Sequence, residues 1–542
     1  MSKITWIAAT LFVLSFTYGA QAQHYQPTRY VGYQQQGSGS KTTNLTDIER
    51  PRVEAEAFAD AKVQDAVTEV QDATNNVQDA VQDAATNVQD AADNVQDTAT
   101  DDAGTSNAQE EMPSVVQEMP DEESNMEMME IVDCGCEPEM KKEEEPAEYS
   151  IKFKKGFLFE PDDIKKSPYT MRINGRMQFR YAGFSPDADT FTNLAGTTGI
   201  ESQSGFEIER ARLEFRGIFL DEDLSYYFNL DADTDDNHDV IFHDFWVDYR
   251  LSDMFNVRVG KAKVPASYEW FGSSTTTRFA DRSVSTTLFR ADRSTGVWFF
   301  GESEEDNFYW QTAIVNGFFA TDLDQGDIDD VFSYAGLFYW DPFGDYGSGY
   351  SDIKRSENLK LRIGATAAYS NQNPFDDGSN TDEVGFARLS DGTQIATPGV
   401  LGPGLTVNNF DLYLVSIFAS GKYRGFSWNS EAYARWIQDI ETIEGPVPND
   451  NKFFDSGFYT DVGYTLIDEK FEVIGRISNT DGIFGDSWEY AVGWNWFFNG
   501  THKNKLTFDA SVLDGIPVQS SSPNFIAGQN GTLYRLQYQA AF

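Results

Sequence analysis

The chain has 542 residues, 40% hydrophobic and 14% aromatic, with a net charge of −46 at pH 7. That acidity excludes a nucleic-acid partner, because backbone phosphates demand clustered Lys and Arg. Two cysteines cannot build a disulfide scaffold, and four histidines leave little for a zinc or haem centre, so no cofactor is implied. The aromatic content is too high for a wholly disordered chain.

Lys3, an apolar run from Ile4 to Tyr18, and the small-x-small ending Ala20-Gln21-Ala22 read as a signal peptide over residues 1–22. No later stretch has eighteen consecutive apolar residues, which excludes membrane-spanning helices. A linker over 23–59 leads to a repeat of Val-Gln-Asp-Ala across 60–100. Its valines stand at Val63, Val70, Val77, Val81, Val88 and Val95, a heptad broken by one step of four. Val and Ala then share one helical stripe, which suits a coiled coil or, since Ala buries little area, a low-complexity spacer. Residues 101–165 read as an acidic linker. It contains Cys134 and Cys136, whose spacing suits inert thiols or bridges between neighbouring chains better than a metal site.

From residue 166 to 542 the pattern turns to period two. Met171, Ile173, Met177, Phe179 and Tyr181 alternate with Arg172, Asn174, Gln178 and Arg180, and Tyr534, Leu536, Tyr538, Ala540 and Phe542 alternate with Arg535, Gln537 and Gln539. The polar faces carry too many charges for a sandwich core. The runs also reach the 9–11 residues that a tilted membrane strand needs, with Tyr and Trp at their ends. The fold class expected is all-β, a 16-stranded antiparallel transmembrane barrel. Its strands fall at 170–184, 204–220, 224–233, 241–250, 254–264, 293–302, 307–320, 331–340, 358–370, 409–423, 425–437, 453–467, 470–478, 486–498, 503–513 and 531–542. Short and long connections alternate, except that 341–357 is long where a short turn belongs. An even strand count puts both chain ends, and the helical extension, on the periplasmic side of an outer membrane.

The block from Phe206 to Val297 resembles the phosphate-selective porin O and P family. The resemblance rests on Glu209-Arg210-Ala211-Arg212-Leu213-Glu214-Phe215-Arg216-Gly217, Asp244-Phe245-Trp246-Val247-Asp248-Tyr249-Arg250, Val257-Arg258-Val259-Gly260-Lys261-Ala262-Lys263-Val264-Pro265, Asp281-Arg282-Ser283 and Arg293-Ser294-Thr295-Gly296-Val297. It implies a trimeric, water-filled channel whose third long loop, here 265–292, folds inward. The repeat and the acidic barrel half depart from that family.

A channel selects by the sign and spacing of its wall charges. The candidate basic lining is Arg172, Arg176, Arg180, Arg210, Arg212, Arg216, Arg258, Lys261, Lys263, Arg278, Arg282 and Arg293, with Arg290 in the inward loop; the candidate acidic lining is Glu214, Asp231, Asp233, Asp244 and Asp248. Arg172, Arg176 and Arg180 would stand roughly 13 Å apart at about 3.3 Å per residue. That exceeds a Debye length of about 8 Å, so each acts as a separate station. These arginines either meet passing anions or pair with the carboxylates across the lumen. The stretch from Asp231 resembles the start of a calcium loop but has Asp236 and Phe242 where Gly and Glu belong, and His238 and His243 have no partner motif. No catalytic motif is present. The function expected is a diffusion porin for small ions and solutes with a weak anion preference, in contact with outer-membrane lipid and assembled as a homotrimer. The alternative is a structural barrel that contacts the cell wall through 60–100.

Overall fold

The computed structural model describes residues 148–542 apart from 194–195, 200, 233–239, 304, 306, 319–330, 373–386, 444, 446–451, 519 and 522–523. The signal segment, the heptad repeat, Cys134, Cys136, Asp233 and His238 lie outside the described residues. Two short strands come first, β1 (Tyr149–Phe153) and β2 (Phe157–Pro161). Then follow β3 (Met171–Pro186), β4 (Gln203–Phe219), β5 (Asp221–Ala232), β6 (Val240–Ser252), β7 (Phe255–Lys263), β8 (Arg293–Ser303), β9 (Phe308–Val315) and β10 (Ser333–Trp340). The second half holds β11 (Lys360–Gln372), β12 (Val407–Tyr423), β13 (Phe426–Thr442), β14 (Lys452–Ile467), β15 (Phe471–Gly482), β16 (Gly485–Phe497) and β17 (Asn504–Asp514). The two-residue strands β18 (Ser520–Ser521) and β19 (Asn524–Phe525) precede β20 (Gly531–Ala541). Two helical turns, α1 (Tyr268–Phe271) and α2 (Val284–Phe289), lie between β7 and β8.

Strands β3 to β17 pair antiparallel in sequence order, and β20 closes the ring by pairing with both β17 and β3. The result is a closed barrel of sixteen strands, each within five residues of its expected ends. Closure removes both sheet edges, which no open sheet in lipid could leave unpaired. The end where β3 begins and β20 finishes is called the terminal end below, and the opposite one the loop end.

The side-chain arrangement is inverted relative to a soluble protein. Along β17, Lys505, Thr507, Asp509 and Ser511 are buried inside while Val512 is exposed outside; along β15, Glu472, Arg476, Ser478 and Thr480 are buried and Val473 is exposed. Outward aromatics ring the terminal end, among them Phe255, Phe338, Trp340, Phe426, Tyr464, Trp496 and Phe542. The tight turn between β12 and β13 shows the local chemistry. Arg424 and Gly425 both take positive φ, 50° and 89°, the pair of left-handed residues that matches the twist of a two-residue hairpin.

Three features depart from the sequence reading or extend it. The β1–β2 hairpin falls inside the stretch read as an acidic linker (101–165). Its arms are five residues each, too short for the alternation to stand out among the lysines, and β2 adds to β3 at Phe157↔Ile173 and Phe159↔Met171. The anomalous connection after β10 is a real insert. Asp341 accepts the Tyr346 amide at 2.8 Å, Lys422 donates to the Tyr346 and Ser348 carbonyls, and Tyr346, Tyr350 and Asp352 are buried in the lumen. Finally, the inner face of β12 is apolar towards the loop end. Phe410, Leu412 and Leu414 pack there against Leu288, Phe289, Leu389 and Ile395 from two inward loops.

Candidate solute pathway

The connection between β7 and β8 enters the barrel and is fixed to the wall along its whole length. Its base closes where Val264 N–H donates to Asp292 O at 2.9 Å. Wall carboxylates satisfy the free amides of both helical turns: Glu431 accepts Tyr268 N–H at 2.8 Å and Glu269 N–H at 3.0 Å, and Glu489 accepts Val284 N–H at 3.1 Å. Ser283 caps the second turn through Thr286 N–H, and its own amide and hydroxyl donate to Glu269. Asp509 accepts Ala280 N–H at 2.8 Å.

Buried ion pairs complete the seat. Arg476 reaches Asp461 at 2.7 Å, Glu269 at 3.3 Å and Glu489 at 3.7 Å. Asp281 receives Arg180 at 3.0 Å and Arg535 at 3.1 Å. Although burial alone would raise the Asp281 carboxyl, Arg180, Arg535 and Arg210 together hold it well below the usual carboxylate range. Burial raises Glu269, against the opposing pull of Arg476.

The expected row on β3 lies on the inner parity, but its members are used differently. Arg180 is 2% exposed and bonds to Glu209, Asp281 and Gln537, so it anchors the loop. Arg176 donates to the hydroxyls of Ser274 and Thr275. Arg172 pairs across the sheet with Arg216, and Arg216 donates to Asn174 at 3.1 Å. Arg210 bonds Gln178 and Glu209, and Arg212 bonds Asp231 at 2.6 Å. Glu214 stands opposite Asn174 and Asn229 on the same inner face.

Arg258 meets Asp248 through two bonds of 2.7 and 2.9 Å, and Arg293 meets Asp244 at 2.7 Å. His243 sits 3.7 Å from Asp231. Lys261 is the exception: it pairs with Phe245 and Thr295 on the outward face, and its Nζ lies 3.4 Å from the Phe242 carbonyl. Arg278 points into the filled half of the barrel, donating to Tyr350 O and Ser427.

Lys263, Arg282, Arg290 and Arg293 surround the Trp270 indole, with the Arg290 and Arg282 guanidiniums 3.9 and 4.3 Å from its centroid. Lys263 donates to the Trp270 and Gly272 carbonyls at 2.8 Å, and Arg282 to those of Glu269 and Gly272 at 3.0 and 2.9 Å. Burial, then the nearby Arg210, bring Arg282 down to about 10, so it stays charged at neutral pH.

Nearer the terminal end an arc of rings lines the same side. Tyr227 stacks on Trp246 with Arg258 above it at 3.7 Å, and Tyr309 stacks on Tyr339 with Arg362 at 3.8 Å. The opposite half is filled by the loop and by the insert after β10, which meet where Tyr268 packs on Tyr350.

Sequence reasoning missed the wall residues that seat the loop, namely Glu431, Asp461, Arg476, Glu489, Asp509 and Arg535. Their signal was present, since each is a charge on the inner parity of its strand. It also missed how Glu207 and Glu209 both come to face Arg180. A register shift opposite Gln178 and Phe179 adds a residue to β4 and re-aims the strand.

Among solved structures, the anion-selective porin from Comamonas acidovorans is similar at 13% identity and TM-score 0.45, over 69% of this chain and 99% of that one. The outer-membrane channel DcaP of Acinetobacter baumannii is similar at 10% identity and TM-score 0.41, over 69% and 97%. OmpT of Vibrio cholerae, expressed in the outer membrane, is similar at 11% and 0.41, over 69% and 98%. No curated protein sequence matches the chain. Residues 173–539 match the family described as phosphate-selective porin O and P, which spans the closed barrel nearly from its first strand to its last, and the chain belongs to that family.

Proposed function

We propose that this protein is an outer-membrane diffusion porin that passes small anions in preference to cations, along the side of the lumen bounded by β3 to β9. One observation carries the reading. Among the described residues, Arg176, Lys263 and Arg282 are held by hydroxyls and backbone carbonyls, with no carboxylate bonded to any of them. Neutral acceptors fix a cation in place without pairing it with a carboxylate: the Arg176 and Arg282 guanidiniums keep N–H groups for a passing anion, while the three Lys263 donors go to the Trp270, Phe271 and Gly272 carbonyls and hold its ammonium beside them. Arg212, Arg258 and Arg293 are by contrast neutralised by Asp231, Asp248 and Asp244, which keeps the preference weak.

Small dianions such as phosphate suit this arrangement, because guanidinium groups bind two oxygens at once. The family supports a trimer, and short turns at the terminal end support a periplasmic position for that end. The test replaces Arg176, Lys263 and Arg282 by Ala, singly and together, in channels reconstituted into planar bilayers. The anion-to-cation permeability ratio should fall with each change, and more than total conductance does. Ratios unmoved by the triple variant would remove these three side chains from the pathway.

A further inference from the structure

The β1–β2 hairpin stands outside the sixteen-stranded ring, yet it continues the barrel's outer surface. Antiparallel pairing places Tyr149, Ile151 and Phe153 on one face with Pro161, Phe159 and Phe157, and β2 registers that face with the outward Ile173 and Met171. The face is open: Ile151 is 65% and Phe153 68% exposed. Phe153 meets Phe157 edge-on at 5.4 Å and Phe157 meets Phe542 at 6.1 Å, so the apolar surface runs unbroken into the aromatic girdle.

The tip of the hairpin, Phe153-Lys154-Lys155-Gly156-Phe157, is held at the height of the chain's last residue. Asn174 Nδ2 donates both to Lys155 O at 2.5 Å and to Phe542 O at 2.9 Å. Gly156 adopts φ 118°, and a Cβ there would lie 2.5 Å from Ile173 O, so the turn approaches β3 as only glycine allows. Lys154 and Lys155 are exposed, and neither forms an ion pair among the described residues. The hairpin's acids, Glu148, Glu160, Asp162 and Asp163, lie at its open end, away from the girdle, where Glu160 takes Lys152 and Asp163 takes Lys166.

We propose that this hairpin is a foot that seats on the bilayer surface at the terminal end, its apolar face against lipid and Lys154 and Lys155 against anionic phospholipid phosphates. Phe153 and Phe157 flank the ammonium groups at girdle height, and Ile151 and Tyr149 carry the apolar face on from there along the headgroup layer, where amphipathic rings and ammonium groups sit together. In a chain of net charge −46, Lys154 and Lys155 join the exposed Arg424 and Lys470 at turns of the same rim as cations that an anionic surface attracts, and they are the pair set beside an open apolar face. The inference rests on the reading of the barrel as membrane-embedded.

The test uses the full chain with Cys134→Ser and Cys136→Ser, reconstituted into vesicles of phosphatidylcholine, with or without phosphatidylglycerol. An environment-sensitive fluorophore is placed at Ile151→Cys, at Ser150→Cys on the opposite face, or at Phe179→Cys on the barrel wall. Lipids with brominated chains should quench the labels at 151 and 179 and spare the one at 150. With phosphatidylglycerol present, Lys154→Gln/Lys155→Gln should weaken quenching at 151, shifting the seated-to-free ratio roughly thirty-fold at about 1 kcal/mol per lysine. Quenching at 179 without quenching at 151 would overturn the foot. So would oxidative cross-linking of Ile151→Cys between copies, which would make the face a protomer contact. Loss of quenching at 179 as well would instead refute the membrane-embedded barrel.

Discussion

Arg476→Leu is the most informative single perturbation of the pathway. The Arg476 side chain is fully buried, with two bonds to Asp461 of 2.7 and 3.1 Å and contacts to Glu269 and Glu489. Its Nη1 also donates to the Asp281 carbonyl at 3.0 Å. Removing it leaves three buried carboxylates facing one another, and breaking a buried pair of this kind costs about 3–5 kcal/mol. Two of those carboxylates belong to the wall and one, Glu269, to the inward loop. Unseating the loop separates them, so the cost falls on the seated state rather than on the barrel.

A penalty of about 4 kcal/mol shifts the seated-to-unseated ratio roughly a thousandfold, at about 1.4 kcal/mol per factor of ten. In planar bilayers the variant should show higher and noisier single-channel conductance, and trypsin should cut the loop after Arg278 or Arg282 while the barrel stays folded. Arg250→Leu, which breaks the exposed pair with Asp223 at a turn, is the control and should change neither readout. Unchanged conductance and an intact loop in folded Arg476→Leu would refute the argument that this cluster seats the constriction.

Further outcomes follow from packing and titration. Gly421→Ala should lower the thermal midpoint of the folded barrel by the equivalent of about 1–3 kcal/mol, because its Cβ would fall within 1.7 Å of the Trp428 ring. Gly336→Ala, where the nearest atoms lie at 3.6 Å, should be neutral in the same melt. Acidification should not open the channel between neutral pH and about 4.5. The depressed Asp281 carboxyl contributes stability above its ordinary value near 3.8, and loses it only as pH falls through its lower folded value. The raised Glu269 carboxyl works the other way: its contribution is full below its ordinary value and declines as pH rises through the folded one. A conductance that climbs by pH 5 would contradict both signs.

Strand parity was legible because a membrane barrel sorts residues by face at every second position. Phe542, Tyr538 and Leu536 fell outward and Gln539, Gln537 and Arg535 inward as the alternation required. Partner choice inside the lumen was not legible. Whether Arg180 serves an anion or a neighbour depends on the register shift that brings Glu209 to 2.8 Å, and on a loop a hundred residues away that brings Asp281 to 3.0 Å. The row therefore splits into Arg180, which anchors the loop, Arg176, bonded to the Ser274 and Thr275 hydroxyls, and Arg172, opposite Arg216 across the sheet.

Lys261 was misread. Parity counted from the inward Arg258 puts Lys261, three residues on, outward beside Phe245 and Thr295, so the residue type was read there and the alternation was not applied. Alternation weakens wherever inner walls meet inserts. Leu412 and Leu414 are apolar and inward because the loops packed on them are apolar too, which a period-two pattern cannot distinguish from a strand buried on both faces.

The central claim is anion preference set by cations held on neutral oxygens. The reversal potential of the wild-type channel in a planar bilayer, measured across a potassium chloride gradient, tests it most directly. A potential whose sign reports chloride as the more permeant ion, and whose size shrinks when Arg176, Lys263 and Arg282 are replaced together, is the result this account predicts. A wild-type potential of the opposite sign would mean that Asp231, Asp244, Asp248 and the acidic connections govern the passage, and would contradict it.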